Sequence, residues 1–298
     1  MPARGDKRAE ERISISPLWH AILALIATTL AALAIAVPGA AAAPPSYVSL
    51  GDSYTAGPLI PLQIPPFGCL KSDHNYPHLA APSLGPEAFR DISCSGAETE
   101  DMTQTQNVNP GPNPPQFSAL DKGTRIVSIT IGGNDIGFSE IAENCSSTSP
   151  TGTPCQDHYV VDGRDEISAR ISETAPKVAA VLQGIHVRSP KAQIYLLNYL
   201  PILPDEGPGC WPQVPVTNED VPYLRAKQKE LNGMLAAQAA ANGATLVDAY
   251  TAGLGHDACQ LPVIRWVEPA APASPAAPLH PNLFGMQAMS DLLIGAAR

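Results

Sequence analysis

Runs of aliphatic and β-branched residues recur along the chain, each stopped by turn residues: Tyr47–Leu50, Ile126–Ile131, Ile194–Asn198 and Thr245–Val247. Such short, almost wholly apolar runs predict strands buried on both faces. Between them the pattern changes to a helical period. Asp165 caps a segment in which Ile167, Ile171, Val178, Leu182 and Ile185 share one face, with Pro176 expected to kink or restart the helix. A second helix is predicted from an Asp220 cap, with Pro222 in its first turn and Gly243 as terminator. Another starts at about Leu283. Strands alternating with helices predict a parallel sheet with helices on both faces, whose working residues gather at the carboxyl ends of the strands. The connections Pro58–Pro66, Asn107–Gln116, Tyr199–Pro215 and Glu268–Pro278 are rich in proline. Loops longer than about a dozen residues in a compact domain are often binding walls.

The first 42 residues read differently. A basic head with Arg4, Lys7, Arg8 and Arg12, an uncharged run from Leu18 to Val37 and an alanine-rich end predict a secretory signal peptide cut near Ala41 or Ala42. Left uncut, the apolar run is long enough to be an N-terminal membrane anchor. On either reading residues 43–298 form one domain, secreted or held in the cell envelope. Of the chain's 18 basic and 28 acidic residues, four and three fall in the leader, so the exported part is acidic. That balance argues against nucleic acid and against electrostatic docking on anionic lipid. All six cysteines follow the leader, and an even number in an exported chain implies disulfides. Proximity favours Cys145 with Cys155 and leaves the other pairings open. No C-x-x-C spacing supports a metal. His74 and His78 stand four apart, but Pro77 disfavours the helix that would put both on one face, so no metal is expected.

Chemistry enters at Tyr47–Pro58, "YVSLGDSYTAGP", where Ser53 stands at the carboxyl end of the first strand. Asp52 beside it is expected to shape the turn. The second strand runs into Gly132, Gly133 and Asn134, which places an amide side chain at the next strand end. Gly96, in "DISCSGAETEDM", offers an unshielded backbone N–H, and His280 precedes Pro281 near the C-terminus. His256, with Asp257 next to it, competes with His280 as a base.

Taken in order, Tyr47–Gly57, Gly96, Gly132–Asp135 and His280–Asn282 resemble the four blocks of the SGNH (GDSL-type) hydrolases. The segments "CSGAETED", "GGNDIGF", "GHDAC", "RWVEP" and "HPN" are similar to the secreted bacterial lipase and esterase branch. The resemblance covers Tyr47 to the C-terminus. It implies a three-layer α/β/α sandwich of flavodoxin-like type, Ser53 as nucleophile and His280 as its base. It also implies an oxyanion hole made of the N–H groups of Ser53 and Gly96 with the Asn134 amide, and disulfides Cys69–Cys94, Cys145–Cys155 and Cys210–Cys259. One position departs from the family: where most members carry Asp three residues before the histidine, this chain has Ala277. A backbone carbonyl, most simply that of Ala277, is expected to orient His280, with Glu268 the alternative.

The resulting expectation is an exported serine hydrolase of lipid or other acyl esters, monomeric, without metal, cofactor or obligate protein partner. Carbohydrate deacetylation, acyl transfer in the cell envelope and an idle lipid- or glycan-binding domain are the alternatives.

Overall fold

A computed structural model describes residues 47–298. The expected signal peptide, with cleavage near Ala41 or Ala42 or retention as an anchor, lies outside the described residues. Five strands form one parallel sheet: β1 (Tyr47–Gly51), β2 (Phe89–Asp91), β3 (Ile126–Thr130), β4 (Gln193–Leu197) and β5 (Thr245–Val247). Their spatial order is β2-β1-β3-β4-β5, and every pairing is parallel. This is the flavodoxin-like order, in which the direction of strand addition reverses between β1 and β3. In β1 all five residues are buried, because helices cover both faces and no alternation is needed. Its buried polar atoms are paired across the sheet: Ser128 Oγ is hydrogen-bonded to Tyr47 Oη at 2.8 Å and Ser49 Oγ at 3.1 Å.

The helices that matter are α1 (Ser53–Ala56), α2 (Tyr76–Leu84), α3 (Phe138–Asn144), α4 (Glu166–Arg188), α5 (Asp220–Ala241) and α6 (Leu283–Ala296). α4 packs against α5, and α2 against α6. Asp165 caps α4 by accepting from the Ser168 N–H. α4 then runs unbroken through Pro176 rather than restarting. Pro176 and Ser172, whose carbonyl loses its donor, are both exposed, so water can satisfy the group. Ile171 and Val178, buried on the opposite side, hold the two halves in line.

Two expectations about elements are corrected. Asp220 does not cap α5. Its buried carboxylate accepts from the N–H groups of Cys155 and Gln156, each at 2.9 Å, and from the Thr217 hydroxyl at 2.7 Å. It therefore ties the Cys145–Cys155 loop to α5, while Glu219 occupies the cap position without a side-chain bond. The second correction is to the four expected strands: a fifth, β2, "FRD", has no apolar run to announce it, and it pairs with β1 with the Phe89 ring stacked on Tyr47.

The disulfides are Cys69–Cys94, Cys145–Cys155 and Cys210–Cys259. This is the pairing that the resemblance implies. Native protein is accordingly expected to show no titratable thiol under denaturing, non-reducing conditions. The Cys210–Cys259 bridge spans 49 residues, and replacing both cysteines with serine is expected to cost about 2–5 kcal/mol in a urea titration. Thiol released by denaturation alone would contradict the pairing.

Candidate active site

The end of β1 is shaped by contacts that admit only glycine. Gly51 has φ +132°, and a Cβ there would lie 2.4 Å from Thr55 Oγ1 and 2.5 Å from the Thr130 carbonyl. The Gln116 side chain fixes this residue from both sides, accepting from its N–H at 2.7 Å and donating to its carbonyl at 3.0 Å. Asp52 follows as the cap of α1 and accepts from the Tyr54 N–H at 2.9 Å. α1 has only four residues before Gly57 closes it in the left-handed region. Its dipole is correspondingly slight, and the N–H groups of the turn matter more.

Ser53 meets His280 there, with His280 Nε2 2.7 Å from Ser53 Oγ across 227 residues of sequence. His280 Nδ1 lies 2.7 Å from a carbonyl, but it is the carbonyl of Pro278 and not that of Ala277. The Ala277 carbonyl instead accepts from the backbone N–H of His280 and closes the turn. A carbonyl can only accept, so Nδ1 carries the proton and Nε2 presents its lone pair to the serine. Burial lowers the His280 pKa below its ordinary 6.5, and the bond to Pro278 opposes that shift. The imidazole is neutral at neutral pH and able to take a proton.

Glu268 does not reach the imidazole. It is fully buried and forms two hydrogen bonds with Arg265, at 2.6 and 3.2 Å. Its oxygens also accept from the Asn282 amide at 2.8 Å and from the N–H groups of Ala273 and Ser274. Its backbone bonds to both ends of the histidine turn, N–H to the His280 carbonyl and carbonyl to the Leu279 N–H. The residue is an anchor for the loop rather than a third catalytic member. His256 is elsewhere too, stacked on Trp266 with ring centroids 4.1 Å apart and Nδ1 bonded to the Ile264 carbonyl. His74 bonds to Asp73, and His78 to Asn75. α2 does form around Pro77, which lies in its first turn, and His74 stays outside it.

Gly96 and Asn134 are brought beside the serine turn by a single loop. The Cys94 N–H donates to the Gly51 carbonyl at 3.0 Å, and Asn134 Nδ2 donates to the Ala97 carbonyl at 2.9 Å. Gly96, between them, has φ +78°. Asp135 secures the same loop by accepting from the Thr99 N–H at 3.0 Å and from its hydroxyl. Among the described residues the N–H groups of Ser53 and Gly96 have no acceptor, and the Asn134 amide keeps a second hydrogen.

A cavity of about 440 Å³ opens from Ser53 and Asn134 and is lined largely by apolar residues, among them Ile141, Ile167, Leu203, Val214, Leu224 and Leu231. Leu203 and Val214 belong to one of the proline-rich loops. Tyr199 and Gln116, which brace the site, lie outside all four blocks, and Tyr54, which braces it too, lies inside the first without a role having been marked for it. The only signal of Tyr199 in the sequence is proximity to a strand end, and Gln116 has not even that.

The fold is thus a doubly wound parallel α/β protein with a Ser–His pair at its switch point. A family model for the GDSL-like Lipase/Acylhydrolase family matches residues 49–288, and the chain belongs to that family. It is a carboxylic ester hydrolase of lipase/esterase type. Lipase 2 of Streptomyces coelicolor is 38% identical, covering 87% of this chain and 88% of that one. Lipase 1 of the same organism is 32% identical over 78% of this chain and 79% of its own length. Among solved structures, an extracellular lipase of Streptomyces rimosus superposes with TM-score 0.69 at 27% identity, over 85% of this chain and 99% of that one. A phospholipase A1 of Streptomyces albidoflavus, with TM-score 0.71 and 24% identity over 85% and 98% of the two chains, shares the fold.

Breaking a buried ion pair strands its partner and typically costs about 3–5 kcal/mol. Glu268→Gln is expected to lose stability on that scale while changing kcat of the folded protein less than about tenfold, where a disabled triad acid would cost about four orders of magnitude. The Glu268 pKa lies below its ordinary 4.5: burial pushes it up, but Arg265, Asn282 and two backbone N–H groups more than offset that. A depressed carboxylate stabilises the fold above that ordinary value, and the contribution is lost as pH falls through the folded-state value. Acid titration of wild type against Glu268→Gln by circular dichroism checks the sign.

Proposed function

We propose that this chain is an exported esterase that hydrolyses lipid or other acyl esters through an acyl-enzyme on Ser53. The observation that carries the reading is the 2.7 Å contact between His280 Nε2 and Ser53 Oγ, with Nδ1 held by the Pro278 carbonyl. Ser53 Oγ attacks the ester carbonyl carbon as its proton passes to Nε2. The oxygen that becomes negative is received by the N–H groups of Ser53 and Gly96 and the second N–H of Asn134. Collapse expels the alcohol, which takes the proton back from His280, and water repeats the sequence to free the acid. The steps need no metal or cofactor.

The apolar cavity supports an acyl chain as the group bound beside Ser53. An acetyl group would leave most of about 440 Å³ unfilled, which weighs against carbohydrate deacetylation. Three disulfides support export to an oxidising compartment. The site is complete within one chain, which supports a monomer acting on a small-molecule or lipid ester.

Ser53→Ala is expected to abolish both fluorophosphonate labelling and hydrolysis with the fold intact, and labelling that persists in a folded Ser53→Ala protein would sink the assignment. On p-nitrophenyl esters of graded length, kcat/KM is expected to rise with each added methylene, by up to about 0.8 kcal/mol, until the cavity is filled. Leu231→Phe is expected to move the optimum to shorter chains. An optimum at acetate in the wild type would remove the cavity from the mechanism.

A further inference from the structure

Three strand ends converge beneath Ser53, and one hydroxyl joins them. Asp52 follows β1, Gly133 follows β3 and Tyr199 follows β4. The Tyr199 hydroxyl donates to Asp52 Oδ2 at 2.5 Å and accepts from the Gly133 N–H at 2.7 Å. A phenol can do both at once, whereas neither a carboxylate nor an apolar ring could. The approach is close enough that a Cβ on Gly133 would lie 2.8 Å from the hydroxyl oxygen. Tyr199 is itself held on both sides, its N–H donating to Asn232 Oδ1 at 3.0 Å and its carbonyl accepting from Asn232 Nδ2 at 2.9 Å. Its ring meets Tyr54 edge-on at 4.9 Å, and the Tyr54 hydroxyl donates at 2.8 Å to the carbonyl of Leu279, the residue before His280.

We propose that Tyr199 is a positioning residue of the hydrolytic centre, whose hydroxyl sets the separation between the Ser53 turn and the Asn134 turn. The inference rests on the reading of Ser53 as nucleophile and Asn134 as oxyanion donor. Each residue that the hydroxyl touches is the immediate neighbour of one of these two. Oxyanion donors act only where the negative oxygen forms, so slack between the turns weakens the transition state more than the bound ester. Tyr199 also lines the cavity, and replacement by phenylalanine keeps that wall.

The pH profile adds a readout that lost packing would not move. Burial pushes the Asp52 pKa up to about 7, against the lowering effects of the Tyr199 hydroxyl and the Tyr54 N–H, and the charge of Asp135 adds to the rise. The ionised form accepts the tyrosine hydroxyl, and protonation loosens the tie. Removing the hydroxyl raises this pKa further, so the acid limb of kcat governed by Asp52 moves to higher pH. The limb belonging to His280 lies lower, because burial depresses that group.

The test is Tyr199→Phe assayed on p-nitrophenyl butyrate, with Ser53 labelling and circular dichroism in parallel. A kcat lowered about tenfold is expected, short of the roughly hundredfold or more for deleting an oxyanion donor, with KM within about twofold. The acid limb of kcat is expected to move to higher pH. Should Tyr199→Phe fail to fold, Gly133→Ala forces the same two turns apart with the hydroxyl retained, and the same loss confined to kcat is expected. Unchanged kcat and an unmoved acid limb in a folded, labelled variant would overturn the proposal while leaving Ser53 as nucleophile. A loss expressed in KM alone would overturn it equally. If the wild type is not labelled at Ser53, the failure lies in the underlying reading instead.

Discussion

A hydrogen bond between His280 and Ser53 closes 227 residues of chain, and much of the polar interior serves to hold its two ends still. On the serine side, Gln116 grips Gly51 through both backbone groups and Asp52 caps the short helix that carries Ser53. On the histidine side, Glu268 bonds to the turn through its backbone and to Arg265 and Asn282 through its carboxylate. Holding reacting atoms at contact distance before the reaction removes an entropic barrier that would otherwise be met at each turnover. Buried polar groups are costly unless fully bonded, and here the bonds they demand are the ones that fix the site.

Two buried carboxylates show how environment decides charge. Asp52 has only hydrogen-bond donors against burial, and its pKa rises to about 7. Glu268 is as deeply placed by exposure but has a guanidinium against it as well as three neutral donors, and its pKa falls. Desolvation acts on both, and the larger set of donors on Glu268, one of them charged, reverses the outcome there. The histidine is held by a carbonyl in place of the usual acid. That fixes its tautomer and orientation without the added stabilisation of an imidazolium by a neighbouring charge.

The cavity joins the site to the long loops. Leu203 and Val214 reach it from the stretch after β4, Ala270 from the stretch before His280, and disulfides at Cys145–Cys155 and Cys210–Cys259 tether the surrounding segments. Proline stiffens such loops by limiting φ. An apolar wall can therefore be built from segments without regular secondary structure.

Local pattern was enough to read the parallel α/β class, the β1, β3, β4 and β5 strands and the long helices, because buried strands and amphipathic helices leave periodic apolar runs. Ser53 and Asn134 stood out at the ends of apolar strands, whereas Gly96 and His280, each in a loop, were singled out by the ordered blocks that resemble the family. The β2 strand was illegible because "FRD" is three residues long with a single apolar side chain, too little to leave an apolar run. Asp220 looked like a cap from its position before a helix, but its carboxylate is satisfied by N–H groups 64 and 65 residues away. Ala277 and Pro278 are one residue apart, and only the path of the turn selects the Pro278 carbonyl for His280. Tyr199 and Gln116 were invisible for the same reason. What the sequence determined is what neighbours along the chain can enforce, namely element type, turn geometry and the chemistry offered at each strand end. Which distant atoms meet was decided by the tertiary structure alone, because a hydrogen bond depends on position and direction in space and leaves no period in the sequence.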